Sequence, residues 1–188
     1  IANGVPLEKV FALEPAGVTD GDFSFIVIGD TGEGDSSQMS LRDQIIAASN
    51  REEVKFLVVS SDVIYPDGKM KDYEFNFYLP FKGFTKPIYA IPGNHDWYDA
   101  DQGFNANFLD PASADISLRA QVATDLKGDI TAWVEKFNIM IAEARRLREY
   151  YRVDNGHQRA PYFEIHTPGF SFITLDTGVT KTIDEKEK

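Results

Sequence analysis

Three short apolar runs, each ending in a polar loop, recur along the first hundred residues at the spacing of a strand–loop–helix unit, and this rhythm limits the folds open to the chain. Phe23 to Ile28 runs into Gly29-Asp30-Thr31-Gly32, Phe56 to Val59 into Ser61-Asp62, and Pro87 to Ile91 into Pro92-Gly93-Asn94-His95-Asp96. Asp30, Asp62 and Asn94 are each 32 residues apart. Branched and aromatic runs of this length read as buried strands, and about thirty residues per unit is the size of a βαβ step. The fold class is therefore α/β with parallel strands, in which sites form beyond the carboxyl ends of the strands. Helical spacing through Leu41, Ile45 and Ile46 predicts a helix over Ser37 to Asn50. Asp72 to Phe84 is expected to be mostly helical, interrupted by Pro80 and Gly83.

The rhythm breaks between Ala100 and Ala160. Ile130, Trp133, Val134, Phe137, Ile141, Ala144 and Leu147 recur every three or four residues and predict a long amphipathic helix, with a shorter one near Ile116 to Leu126. Residues 100–160 thus read as a helical insertion, beside or over the rim, within a single domain spanning 1–188. Tyr162 to His166 and Phe170 to Leu175 read as two strands joined by the turn Thr167-Pro168-Gly169.

The formal net charge of −11 argues against a nucleic-acid partner. No stretch approaches the ~18 apolar residues of a membrane span. With no cysteine, neither a disulfide framework nor a zinc-thiolate site is available, and the compartment stays open. The chain starts Ile1-Ala2-Asn3-Gly4 and closes on the charged run Asp184 to Lys188, and both ends read as cut from something longer.

An Asp after a strand is usually a turn former or a helix cap. Three oxygen-bearing residues on one rim, followed by Gly-Asn-His-Asp, have a second reading: hard anionic ligands for a pair of cations. Gly29-Asp30-Thr31-Gly32, Ser61-Asp62-Val63-Ile64-Tyr65 and Gly93-Asn94-His95-Asp96 resemble, in order and spacing, the motifs of the calcineurin-like metallophosphoesterases. Many members carry a His two residues after the first Asp, where this chain has Gly32. The purple acid phosphatase branch, with G-D-x-G and G-D-x-x-Y, is more similar, and Tyr65 occupies the tyrosine position.

The resemblance implies a layered β-sheet sandwich flanked by helices, incomplete here, and a phosphoester hydrolase with a dinuclear centre of iron plus a divalent ion such as Fe, Zn or Mn. Asp30 would bind the first metal, Asp62 both, Tyr65 the first and Asn94 the second. A metal-bound hydroxide would attack phosphorus in line, with His95 protonating the leaving group and Asp96 orienting the His95 imidazole. A phenol with an ordinary pKa near ~10 ligates as phenolate only beside a strongly polarising cation, which favours ferric iron. The plainer alternative has Tyr65 packing in a turn before Pro66. The family's later V-x-x-H and G-H-x-H motifs are absent. Neither His157, in Gly156-His157-Gln158-Arg159, nor His166 fits them by order, so a missing C-terminal half is expected to supply the imidazole ligands.

Two other classes compete. Asp30-Thr31-Gly32 and Asp176-Thr177-Gly178 repeat the signature of the paired-carboxylate aspartic proteases, although those are almost wholly β and leave Gly-Asn-His-Asp unexplained. Alternatively the fold persists without chemistry, as an interaction module using the helical insertion. A dinucleotide loop fails because the glycines after Gly29 do not fit G-x-G-x-x-G, and an EF-hand fails because Leu41 stands at the twelfth position.

Overall fold

The computed structural model describes residues 11–18, 22–124 and 129–177. The termini, including the Asp184 to Lys188 run, lie outside the described residues, as do Gly178 and the Leu126 end of the shorter predicted helix.

The central strand β3 (Val54–Val59) is almost wholly buried, as a parallel strand covered on both faces must be. It pairs in parallel with β2 (Ser24–Ile28) on one side and β4 (Ile88–Ala90) on the other, so the order is β2-β3-β4 and all three polar loops leave the same end. A second sheet joins β1 (Ala12–Leu13) in parallel to β5 (Glu164–His166), which pairs antiparallel with β6 (Ser171–Ile173) around the expected turn. The two-residue strand β1 carries too little pattern to be read from sequence.

Aromatic residues fill the space between the sheets. Phe25 stacks on Phe56 at 5.0 Å and meets Phe172 edge-on at 5.6 Å, with Tyr89 and Phe163 beside them. This is the expected layered sandwich. The other face of the first sheet packs Leu57, Val59 and Ile88 against Phe77, Phe81, Phe104 and Phe108 from the helices.

Helix α1 (Ser36–Ser49) begins where the Asp35 carboxylate accepts the N–H groups of Ser37 and Gln38 at 2.9 and 3.1 Å. The segment expected to be mostly helical is instead broken into a 3₁₀ turn (Met70–Asp72), a π turn (Glu74–Tyr78) and the short helix α2 (Leu79–Phe81). Pro80 is the cause: it has no N–H, and its ring excludes the carbonyl four residues back, that of Asn76. That carbonyl accepts Gln38 Nε2 at 2.9 Å instead.

After α3 (Asn94–Trp97), the helices α4 (Gln102–Phe108), α5 (Pro111–Thr124) and α6 (Ile130–Tyr151) fill the stretch where the β rhythm lapses. Asp129 caps α6 through Thr131 N. Phe137, Met140 and Ala144 pack on Ala106 and Leu118 in the helical layer, and Leu147 and Tyr151, one and two turns on, reach the core beneath the sheet. The buried stripe follows the one read in sequence from Trp133 to Leu147 and adds Met140 and Tyr151, whereas Ile130 is exposed. No helix among the described residues is long and apolar enough to cross a membrane.

Candidate metal centre

The loop after β2 and the loop after β3 lie side by side through Asp30 N to Ser61 O at 3.1 Å, Thr31 N to Asp62 O at 3.2 Å and Tyr65 N to Gly32 O at 3.0 Å. Asp30 and Asp62 both have left-handed backbones, with φ of +54° and +39°. Gly32 permits this approach, since a Cβ there would lie 2.0 Å from Val63 O and 2.4 Å from Ile64 Cα.

The two carboxylates meet at Tyr65. Its Oη lies 2.9 Å from Asp30 Oδ1 and 2.9 Å from Asp62 Oδ2. Three oxygens thus converge around one hydroxyl proton, which a phenol can donate fully to only one acceptor at a time. Burial, and then the hydrogen bonds to Asp62 and Asp30, raise the phenol well above its ordinary pKa. A cation able to displace that proton must be strongly polarising. The donor set of two carboxylates and a phenol is hard and all-oxygen, which fits such a cation. Among the described residues there is no group of three His, Cys, Asp or Glu side chains placed to hold a metal. Tyr65 and Asn94, as a phenol and an amide, fall outside that class of ligand.

The third loop closes on the second. His95 N donates to Asp62 Oδ1 at 3.0 Å, and a Cβ on Gly93 would lie 2.0 Å from the same oxygen. Asn94 stands between these two contacts, exposed at the rim, with its Nδ2 donating to Tyr98 Oη at 3.3 Å. The His95 ring packs 4.3 Å from the Tyr65 ring, and its Nδ1 donates to the Pro66 carbonyl at 2.6 Å. A carbonyl only accepts, which assigns the proton to Nδ1 and leaves Nε2 as the exchangeable position.

Asp96 differs from expectation. Its carboxylate does not orient the imidazole; it is fully buried and accepts Val63 N and Gly93 N at 2.9 Å each and Ile64 N at 3.3 Å. Burial raises its pKa to about 6 against the opposing pull of those N–H groups. Asp176 Oδ1 accepts Trp97 Nε1 at 3.3 Å, tying the end of the second sheet to α3, whereas Asp30 Oδ1 accepts Tyr65 Oη, an arrangement that does not favour the paired-carboxylate reading. His157 bonds Asp154 at 2.6 Å, and His166 bonds Glu164 and Ser171, so neither is brought to the three loops. Sequence reading missed the roles of Gly93, Tyr98 and Trp97. The one available signal was a glycine directly before the third ligand position.

A groove of about 280 Å³ opens beside Asp30, with Ile28, Leu41, Ile45, Pro80 and Phe81 on its apolar walls and Arg42 at its margin.

The chain is 30% identical over 153 residues to purple acid phosphatase 17 of Arabidopsis thaliana, an alignment covering 77% of this chain and 43% of that protein. The chain therefore spans less than half the length of this relative. No solved structure matches. The sequence pattern of the calcineurin-like phosphoesterases matches residues 23–175, from the first strand of the parallel sheet to the end of the second sheet. The protein belongs to the calcineurin-like phosphoesterase family.

Proposed function

We propose that the chain carries one side of the dinuclear centre of a metal-dependent phosphoester hydrolase. The observation that carries this reading is the convergence of Asp30, Asp62 and Tyr65 oxygens at 2.9 Å around a single proton. Asp30 and Tyr65 would hold a first cation, iron, Asp62 would be shared, and Asn94 Oδ1 would face a second, divalent one of Fe, Zn or Mn. Bound cations supply Lewis-acid polarisation of the phosphoryl oxygens and a nucleophilic water. His95, oriented by Pro66, presents Nε2 as proton donor to the leaving oxygen, while Asp96 supports the loops. The groove beside Asp30 offers room for the ester's organic arm. Imidazole ligands would come from polypeptide beyond this segment.

Calorimetric titration with Fe³⁺ and Mn²⁺ tests the reading, with p-nitrophenyl phosphate turnover followed with and without chelator. Metal binding is expected in the parent chain and lost in Asp30→Asn and Asp62→Asn, with a violet iron band that disappears in Tyr65→Phe. Equal binding in parent and variants refutes it. The second reading, a fold retained for interaction only, draws on His157 and His166 being engaged away from the loops; it requires that no metal bind.

A further inference from the structure

Asp62 is held in a backbone conformation that it does not favour, with φ of +39°. The residues that follow it must therefore be fixed from outside. Val63 N and Ile64 N donate to the two oxygens of Asp96, and Asp96 Oδ2 also takes Gly93 N. In the other direction His95 N donates to Asp62 Oδ1. The second and third loops thus exchange carboxylates, each closing backbone N–H groups of the other. Asp96 is fully buried, so the groups it satisfies have no water to turn to. Two glycines let the chain come this close: a Cβ on Gly68 would lie 2.7 Å from Asp96 Cα, and one on Gly93 would lie 2.0 Å from Asp62 Oδ1.

We infer that Asp96 is a positioning residue for Asp62. It commits Asp62 Oδ1 to His95 N and directs Asp62 Oδ2 to Tyr65 Oη, and through it to Asp30. Its influence on the centre runs through two backbones and not through the imidazole. This rests on the proposed reading of Asp62 as the shared ligand.

The test uses Asp96→Asn, which keeps the shape but turns an N–H₂ toward N–H donors, so at least one of the three bonds is lost. Backbone amide exchange is measured with no metal added, and Mn²⁺ affinity is measured separately. The informative amide is that of His95, because its acceptor is Asp62 and not Asp96. Displacement of Asp62 exposes it, whereas local loss at Asp96 alone does not. The variant is expected to speed His95 exchange by about tenfold or more and to weaken Mn²⁺ binding by about tenfold or more. Leu118→Ala, a destabilised control in the helical layer, is expected to lower the melting temperature and leave both readouts unchanged. Parent-like protection of His95 in Asp96→Asn overturns the inference, as does an equal loss of both signals in Leu118→Ala. Should Asp96→Asn not fold, Asp96→Glu reads the same amide, with the same criterion. If the parent chain binds no Mn²⁺, the hydrolase reading fails, while the exchange comparison still decides the role of Asp96.

Discussion

Replacing Gly32 by alanine tests how closely the first two loops approach. The added Cβ would stand 2.0 Å from Val63 O, 2.4 Å from Ile64 Cα and 2.5 Å from Val63 C, where ordinary contact begins at 3.4 Å. All three are backbone atoms, so no side chain can rotate away and one loop must move by more than 1 Å. Gly32 has no left-handed φ, so the cost is steric rather than conformational. Forced overpacking costs about 1–3 kcal/mol. The displaced Gly32 carbonyl also loses Tyr65 N and Asn76 Nδ2, each at 3.0 Å, adding about 1 kcal/mol apiece. The sum is about 3–5 kcal/mol, or a fall in melting temperature on the order of 10 °C for a chain of this size. Thermal unfolding by circular dichroism measures it, and metal titration should weaken in parallel because Tyr65 is carried away from Asp30. A Gly32→Ala protein melting within about 2 °C of the parent would show that the loops do not approach as described.

Two further outcomes follow from the interior. Burial, then the charges of Asp176, Asp96 and Asp99, raise the Asp101 carboxyl to about 8. The folded chain therefore keeps a proton that the unfolded chain releases near the ordinary 3.8, so stability is fully present below about 4 and falls as pH rises through about 8. Urea unfolding across this range should show the decline, Asp101→Asn should flatten it, and an unchanged slope in the variant counts against the buried acid. Asn107 joins the helical layer to the sheet domain, accepting Tyr78 Oη at 2.8 Å and donating to Gly103 O at 2.8 Å while fully buried. Asn107→Ala removes the shortest contact of the tyrosine hydroxyl, leaving it Asn155 Nδ2 at 3.3 Å and Ala144 O at 3.4 Å, and should cost about 1–3 kcal/mol by denaturant unfolding, whereas no measurable loss would mean that those two partners suffice.

The parallel sheet was legible because its strands are continuous apolar runs ended by glycine-rich loops, and both signals are local. The three rim positions were legible for the same reason. Helical periodicity likewise marked α6 and most of its buried face, but not Met140, whose burial depends on neighbours such as Ala106 and Leu118 that sequence spacing does not contain. The π turn required knowing that Gln38, 38 residues away from Asn76, would take the carbonyl that Pro80 sets free. Asp96 was misread through adjacency: being next to His95 in sequence put it beside the imidazole in expectation, whereas the single turn of α3 points its side chain into the interior, onto Val63, Ile64 and Gly93. Gly32 stood out only as a histidine position without a histidine. Its reason is steric, because a backbone that passes this close to Val63 cannot carry any side chain.

The two left-handed aspartates show what the rim asks of the fold. Each is the second residue beyond its strand, or the third in the case of Asp62, and each turns its side chain toward the other by adopting a φ that costs an L-residue about 1–2 kcal/mol. Glycine would relieve that strain, and asparagine would tolerate it nearly as well, but neither brings an anionic oxygen to the Tyr65 hydroxyl. Asn76 helps to hold the bent loops from below, its Nδ2 reaching both Gly32 O and Tyr65 O. A chain selected for stability alone would have no use for two carboxylates competing for one phenol proton. Their retention in this conformation is accounted for if a cation binds all three oxygens together, so that stability and chemistry pull in opposite directions at Asp30 and Asp62. Asp30→Asn, stable or more stable than the parent yet unable to bind metal, is the behaviour that this opposition demands.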